Sequence, residues 1–155
     1  MVQQLTRAKS SSAWKVISSQ DAEIEPLVRQ LAGLAQPSDQ PHDRRDRVRV
    51  PFSRLVALTP VANASLDDPG DPVYVVGKNL AQQGLDFFHS QPFPHRYAIA
   101  SLETGPGQQV HFLMKVTWCR FLQAGWYDSG GRFVKRVEPF ANDATEEACE
   151  IRAEN

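Results

Sequence analysis

The sequence predicts a mainly β fold, a small closed barrel of antiparallel strands, with an amphipathic helix ahead of it and a short helix behind. Three observations predict it. From Val110 to Phe121 the residues alternate, with Val110, Phe112, Met114, Val116 and Trp118 on one face and His111, Lys115 and Thr117 on the other, a period of two that a helix cannot keep. Shorter apolar runs bounded by breakers recur at 48–52, 55–58, 73–76, 85–88, 97–102 and 126–137. Turn formers such as Thr104-Gly105-Pro106-Gly107 and Asp128-Ser129-Gly130-Gly131 separate them.

Taken in order, residues 1–17 are polar and irregular and are expected to form a tail without fixed structure unless Trp14 docks. From Asp21, residues Ile24, Leu27, Val28, Leu31 and Leu34 fall at helical spacing, with Ser18 or Ser19 as N-cap, Pro26 near the first turn and Gly33 with Pro37 at the end. The stripe is expected to pack on the main domain. Residues 36–43 read as a linker, so the organisation is a tail (1–17), helix and linker (18–41), barrel (42–138) and an acidic C-terminal helix or tail (139–155) capped at Asn142 or Asp143. Within the barrel, 63–71 is a turn-rich loop, in which Asp67-Asp68 beside Pro69-Gly70 is explained by turn formation, and the residues before Gly84 form a polar bend between two strands. Leu113, Cys119 and Phe121, opposite the apolar face of their strand, imply that its second face is also partly covered.

Composition narrows the function. A chain of 155 residues is one ordinary domain, and 17 basic against 18 acidic residues leave a net charge of −1, too little to gather polyanions over the whole surface. Any anion binding must be local. Two cysteines thirty positions apart, Cys119 and Cys149, form neither a disulfide framework nor a zinc-ligand pattern and read as buried or incidental thiols. No apolar run reaches the length of a membrane span and the start lacks a secretory pattern, so a cytoplasmic protein is expected.

One local charge concentration exists. Arg44-Arg45-Asp46-Arg47-Val48-Arg49 places four of the seventeen Lys and Arg residues within six positions, at the entry to a strand. A guanidinium offers a fixed fork of donors that matches two phosphate oxygens or the O6 and N7 edge of guanine. The simpler reading is a solvated basic strand edge, partly neutralised by Asp43 and Asp46. Some thirty residues on, Asn79-Leu80-Ala81-Gln82-Gln83-Gly84 brings amides that present donor and acceptor together, and a glycine that permits close backbone approach.

With these two segments in this order, the chain resembles the PilZ domain family, whose signature is RxxxR before a barrel strand and [DN]xSxxG between the next two strands. Arg45-Asp46-Arg47-Val48-Arg49 fits the first motif and Arg44 supplies a frequent extra arginine. Asn79 and Gly84 fit the second, while Ala81 stands at the serine position. Val116-Thr117-Trp118-Cys119-Arg120 and Tyr127-Asp128-Ser129-Gly130-Gly131-Arg132-Phe133 look like the family's last two strands, so the resemblance covers 42–138.

The resemblance implies a six-stranded barrel that binds cyclic dimeric GMP, a bacterial second messenger. Arg45 and Arg49 would contact phosphates, guanine edges or both; Arg44 would add a contact or a stacking face; Asn79 would read a guanine edge and Gly84 would shape the turn. At Ala81 one hydrogen bond is missing, typically worth about 0.5–1.5 kcal/mol net or about 1.5–3 with a charged partner. That corresponds to about a two- to hundredfold loss of affinity. Binding is expected to order the 36–49 joint and reposition the N-terminal helix.

Enzymatic and metal-dependent functions find no pattern. His42, His89, His95 and His111 lack metal-ligand spacing, and no GxSxG elbow or P-loop is present, so a non-catalytic protein without a metal or cofactor is expected. Two other classes stay open: an interaction module on the same fold that no longer binds the nucleotide, and a small barrel gripping single-stranded nucleic acid through Trp118, Trp126 and Tyr127. Near Arg120, Trp118 has the chemistry to stack on a guanine, but by the alternation it belongs to the core with Met114 and Val116.

Overall fold

The computed structural model describes residues 14–18, 21–34, 49–81 and 83–140. They form β1 (Trp14–Ser18), α1 (Asp21–Leu34), β2 (Arg49–Pro51), β3 (Leu55–Val61), β4 (Val73–Ala81), β5 (Gly84–His89), β6 (Tyr97–Gly105), β7 (Gln108–Phe121), a 3-10 turn (Gln123–Gly125) and β8 (Tyr127–Pro139). The protein is mainly β, and six strands close into an antiparallel barrel because β8 serves two neighbours, β5 on one edge and β7 on the other. The ring runs β3–β4–β5–β8–β7–β6 and back to β3. Closure leaves these six without an open edge.

The two remaining strands extend the ring. β1 pairs with the end of β8 that β5 does not reach, from Trp14 opposite Pro139 to Ser18 opposite Arg136. β2 pairs with the tip of β4, where β3 has not yet begun, so β2 and β3 are two pieces of one edge interrupted at Phe52-Ser53-Arg54. At the break the Phe52 and Gly77 amides donate to Lys78 O and Arg54 O at 2.9 and 2.7 Å. Gly77 is required there because a Cβ would run into the Phe52 carbonyl.

Inside the ring, Phe52, Leu80, Leu85, Phe87, Leu102, Phe112, Met114 and Phe133 are buried together, with Phe112 and Phe133 stacked at 4.5 Å. Ile24, Val28 and Leu31 of α1 join this cluster, fully or almost fully buried, and the helix touches β4, β6 and β8, strands from different sides of the ring. Removing three such side chains from water stabilises the docked helix by about 5–9 kcal/mol. A second cluster lies outside the ring, where Val61, Leu66, Ile99, Leu113 and Val137 are covered by Trp14, Ala64 and Tyr97. This explains the apolar Leu113 on the second face of β7.

Several sequence expectations are corrected. Residues 14–17, assigned to the tail, and Ser18, a candidate helix N-cap, form a strand, because Trp14 packs edge-on against His111 at 4.9 Å and covers the outer cluster. Asn79 and Ala81 lie in β4 and Gly84 in β5, so only 82–83 remain between the two strands. Asp128-Ser129-Gly130-Gly131 is not a turn but the first half of β8; the chain reverses at Ala124 and Gly125, both with positive φ. Cys119 is exposed rather than buried, and Leu55, expected in an apolar run, is 72% exposed. The tail before Trp14, the linker with Arg44 and Arg45, Cys149 and the expected helix at 142–150 lie outside the described residues. Among the described residues no helix is long and apolar enough to cross a membrane.

Candidate functional site

Antiparallel register sorts side chains into rows, because residues directly opposite each other project from the same face. Two such rows cross the outer face of the barrel at the tip of the β4–β5 hairpin. The first is Pro51, Asn79, Asp86, Gly130 and Trp118, one each from β2, β4, β5, β8 and β7. The second is Arg49, Ala81, Gly84, Arg132 and Lys115. Between the rows lies a shallow cleft of about 220 Å³, with Arg49, Asp86, Trp118 and Arg132 around it and Ala81 and Gly84 at its base. Drug-sized sites enclose roughly 300–1,000 Å³, so a dinucleotide here would rest partly outside the cleft.

Trp118 reaches this face through an irregularity. Strict alternation would turn it inward with Met114 and Val116, but a bulge between Val116 and Trp118 inserts Thr117 as an extra residue and reverses the sense of the strand. Trp118 therefore leaves the core and stands 39% exposed, correcting the sequence expectation. Its indole crosses Gly130 so closely that a Cβ there would overlap Nε1 and Cε2 and come within 2.6 Å of Asp86 Oδ1. Glycine at 130 is the condition for Trp118 and Asp86 to meet.

The charges are arranged in two neighbouring groups. At the rim, Arg49 Nη1 lies 3.4 Å from Asp86 Oδ2. The Asp86 side chain is only 13% exposed, and burial raises its carboxyl above the ordinary value of 3.8. Arg49, then Lys78, oppose that rise; the nearby Asp128 charge adds to it, and the Asn79 side chain hydrogen-bonds to Asp86 and lowers it. One row further along the same face, opposite Phe88 and Arg120, Asp128 is 1% exposed and its Oδ2 accepts from Lys78 Nζ at 3.0 Å and Arg120 Nη2 at 2.8 Å. Three cations, Arg49, Lys78 and Arg120, pair with two carboxylates, and Arg132 on the cleft wall makes a fourth, a local excess of positive charge on a molecule whose total is −1.

Of the residues singled out in the sequence, Arg49, Asn79, Ala81 and Gly84 come together here, whereas Arg44 and Arg45 lie outside the described residues. Gly84 serves the close backbone approach expected of it rather than the shaping of a turn. It does not adopt positive φ; a Cβ would collide with the Gly131 carbonyl of β8. Asp86 and Arg132, which also line the cleft, were not singled out in the sequence, and Trp118 was weighed for stacking but assigned to the core. Asp86 stands two positions after Gly84 and thus on the same face of β5, a signal open to period-two counting; Trp118 and Arg132 depend on the β7 bulge and the β8 register.

A second polar pair is sealed in the barrel wall. His89 Nδ1 donates to the Gln91 carbonyl at 2.6 Å, leaving Nε2 to accept from the Ser129 hydroxyl at 2.8 Å. Both residues are buried, so the pair braces β5 against β8 without a route for a substrate. No group of three or more His, Cys, Asp or Glu able to hold a metal occurs among the described residues. Comparisons with protein-family models, curated proteins and solved structures find no match to the chain.

Proposed function

We propose that the protein is a PilZ-like, non-catalytic receptor for cyclic dimeric GMP, acting in the cytoplasm in bacterial second-messenger signalling. The observation that carries this reading is the register of β2 on β4. It sets Arg49 opposite Ala81 and, through β5, beside Gly84 and Asp86, so the last arginine of the first motif and Ala81 and Gly84 of the second line a single cleft. The ligand joins two guanines through two phosphodiester anions. Arg49 and Arg132 suit the phosphates, the Asn79 amide suits a base edge and the exposed Trp118 ring offers a stacking surface. Arg45 and Arg44, four and five positions before Arg49, extend the cationic set along the chain.

In this reading the output does not require lifting α1. Its three buried side chains belong to the barrel core, and exposing them would cost about 5–9 kcal/mol, comparable with the whole binding energy of a micromolar ligand. We place the response in the lead-in to β2 and the surface beside it.

Titration calorimetry with cyclic dimeric GMP tests the proposal. Arg49→Ala is expected to weaken binding by about tenfold or more while circular dichroism stays unchanged. Equal affinity in the variant removes Arg49 from the ligand site. A second reading keeps the fold as a protein-interaction module, favoured by the exposed Leu55 and Tyr74 (72% and 70%) beside Val76 on the β3–β4 face. Absence of heat and of any thermal shift at millimolar nucleotide would select it.

A further inference from the structure

We propose that Asp86 selects the base in this cleft, its carboxylate accepting from guanine N1–H and the exocyclic N2 amine of a base stacked on Trp118. The inference rests on the nucleotide-receptor reading and deepens it.

A carboxylate is an unexpected lining for a cleft that takes phosphates, since like charges repel and burial penalises the ionised form. Simple anion binding would be served better by a neutral residue. Asp86 is nonetheless placed at the centre of the first row, with Asn79 hydrogen-bonded to it on one side and Trp118 converging on the other. The overlap above Gly130 brings Asp86 Oδ1 and the five-membered edge of the indole to the same point. A base lying on that ring is therefore next to the carboxylate, and the contact a carboxylate can accept from it is at its edge, where its N–H donors lie.

Edge chemistry then decides which base is accepted. Guanine carries two adjacent donors, N1–H and the N2 amine, spaced for the two oxygens of a carboxylate. Adenine shows a lone pair at N1 next to its single amine, so one carboxylate oxygen would face an acceptor. Hypoxanthine keeps N1–H and lacks the N2 amine. Binding also exchanges partners without stranding a charge: at 3.4 Å the Arg49–Asp86 contact is long for a charge-assisted hydrogen bond, so Arg49 can turn to a phosphate as Asp86 turns to the base.

The test is a calorimetric titration of the full chain with cyclic dimeric GMP, cyclic dimeric IMP and cyclic dimeric AMP, for wild type, Asp86→Asn and Asp86→Ala. Wild type is expected to favour the guanine over the adenine ligand by about a hundredfold, with the inosine ligand between them, and both variants to compress that ratio to about fivefold or less. The near-isosteric Asp86→Asn guards against a folding defect, and melting curves of both variants check it. If removing the carboxylate tightens all three ligands equally and leaves the ratio intact, Asp86 is only the resting counterion of Arg49 and the inference fails while the receptor reading stands. If wild type binds none of the three, the receptor reading itself falls and this inference with it.

Discussion

Arg49 and Asp86 face each other at 3.4 Å across the tip of β4, the one arriving on β2 and the other on β5. The pair links the last arginine of the cluster to the strand that leaves the second motif, and it sets the first prediction. Burial is the largest influence on Asp86 and raises its carboxyl above 3.8 despite Arg49. An acid whose folded pKa is raised binds its proton more readily when folded, so its stabilising contribution is present below 3.8 and is lost as pH rises through the folded pKa. Urea unfolding of wild type and Asp86→Asn between pH 3.5 and 7 should show wild type losing stability relative to the variant as pH rises. A constant difference across that range would mean that burial and pairing cancel at Asp86.

Restoring a hydroxyl at Ala81 is the second prediction. Ala81 sits opposite both Arg49 and Gly84 at the base of the cleft and is half-buried, so Ala81→Ser adds a donor where the ligand would rest. Cyclic dimeric GMP is expected to bind about two- to hundredfold more tightly, the range of one added hydrogen bond. Folding stability should move by no more than about 0.5 kcal/mol. Unchanged affinity would show that the ligand does not approach β4 at this residue.

These residues also mark what was legible in the sequence. Period-two alternation located the strands of the ring, because each buries one face, and helical spacing located Ile24, Val28 and Leu31. That Arg49, Asn79, Ala81 and Gly84 would be neighbours was legible because motif spacing survives folding when both segments border the same strand pair. Trp118 was misread as core because a bulge leaves no periodic trace until the partner strand is known. Gly130 and Gly131 were misread as turn residues for a related reason: glycine marks turns and close approaches alike, and here Trp118 and Met114 crowd them. Arg132 became visible only through its register opposite Gly84.

Gly84 supplies the third prediction. A methyl at this position would press on the Gly131 carbonyl, a backbone atom that cannot swing aside, so β5 and β8 would have to separate. Gly84→Ala is expected to destabilise by about 1–3 kcal/mol in urea unfolding, as overpacking does. Gly105→Ala is the control, since its Cβ would meet only the end of Gln108 at 3.7 Å. Equal effects of the two substitutions would refute the close-approach account.

A fourth prediction concerns His111 beneath Trp14. Burial lowers its pKa from 6.5, partly countered by Glu138; Ser101 Oγ lies 2.7 Å from Nδ1, and Lys15 of β1 stands opposite Glu138. A base with a depressed folded pKa contributes stability that is present above 6.5 and lost as pH falls through the folded value. Melting temperature, followed by tryptophan fluorescence, should drop between pH 7 and 5 in wild type and less steeply in His111→Gln. Parallel slopes would assign the acid sensitivity to other groups.

The last prediction tests the charge cluster one row along from Asp86. Asp128 is 1% exposed, and its Oδ2 takes both hydrogen bonds, from Lys78 and Arg120, while the buried Oδ1 has no partner. The two cations can return to solvent if the carboxylate is lost, Arg120 most easily because it is 65% exposed, so the penalty stays below that of stranding a buried charge. Asp128→Asn keeps the shape and removes the charge, and should destabilise by about 1.5–3 kcal/mol, the worth of a hydrogen bond to an ionised group. Arg120→Ala alone should cost about 1 kcal/mol or less, because Lys78 remains and exposed pairs are screened. Unfolding of both single variants and the double variant closes the cycle. Additive effects would show that Arg120 does not hold Asp128, leaving Lys78 as the partner that keeps this carboxylate buried.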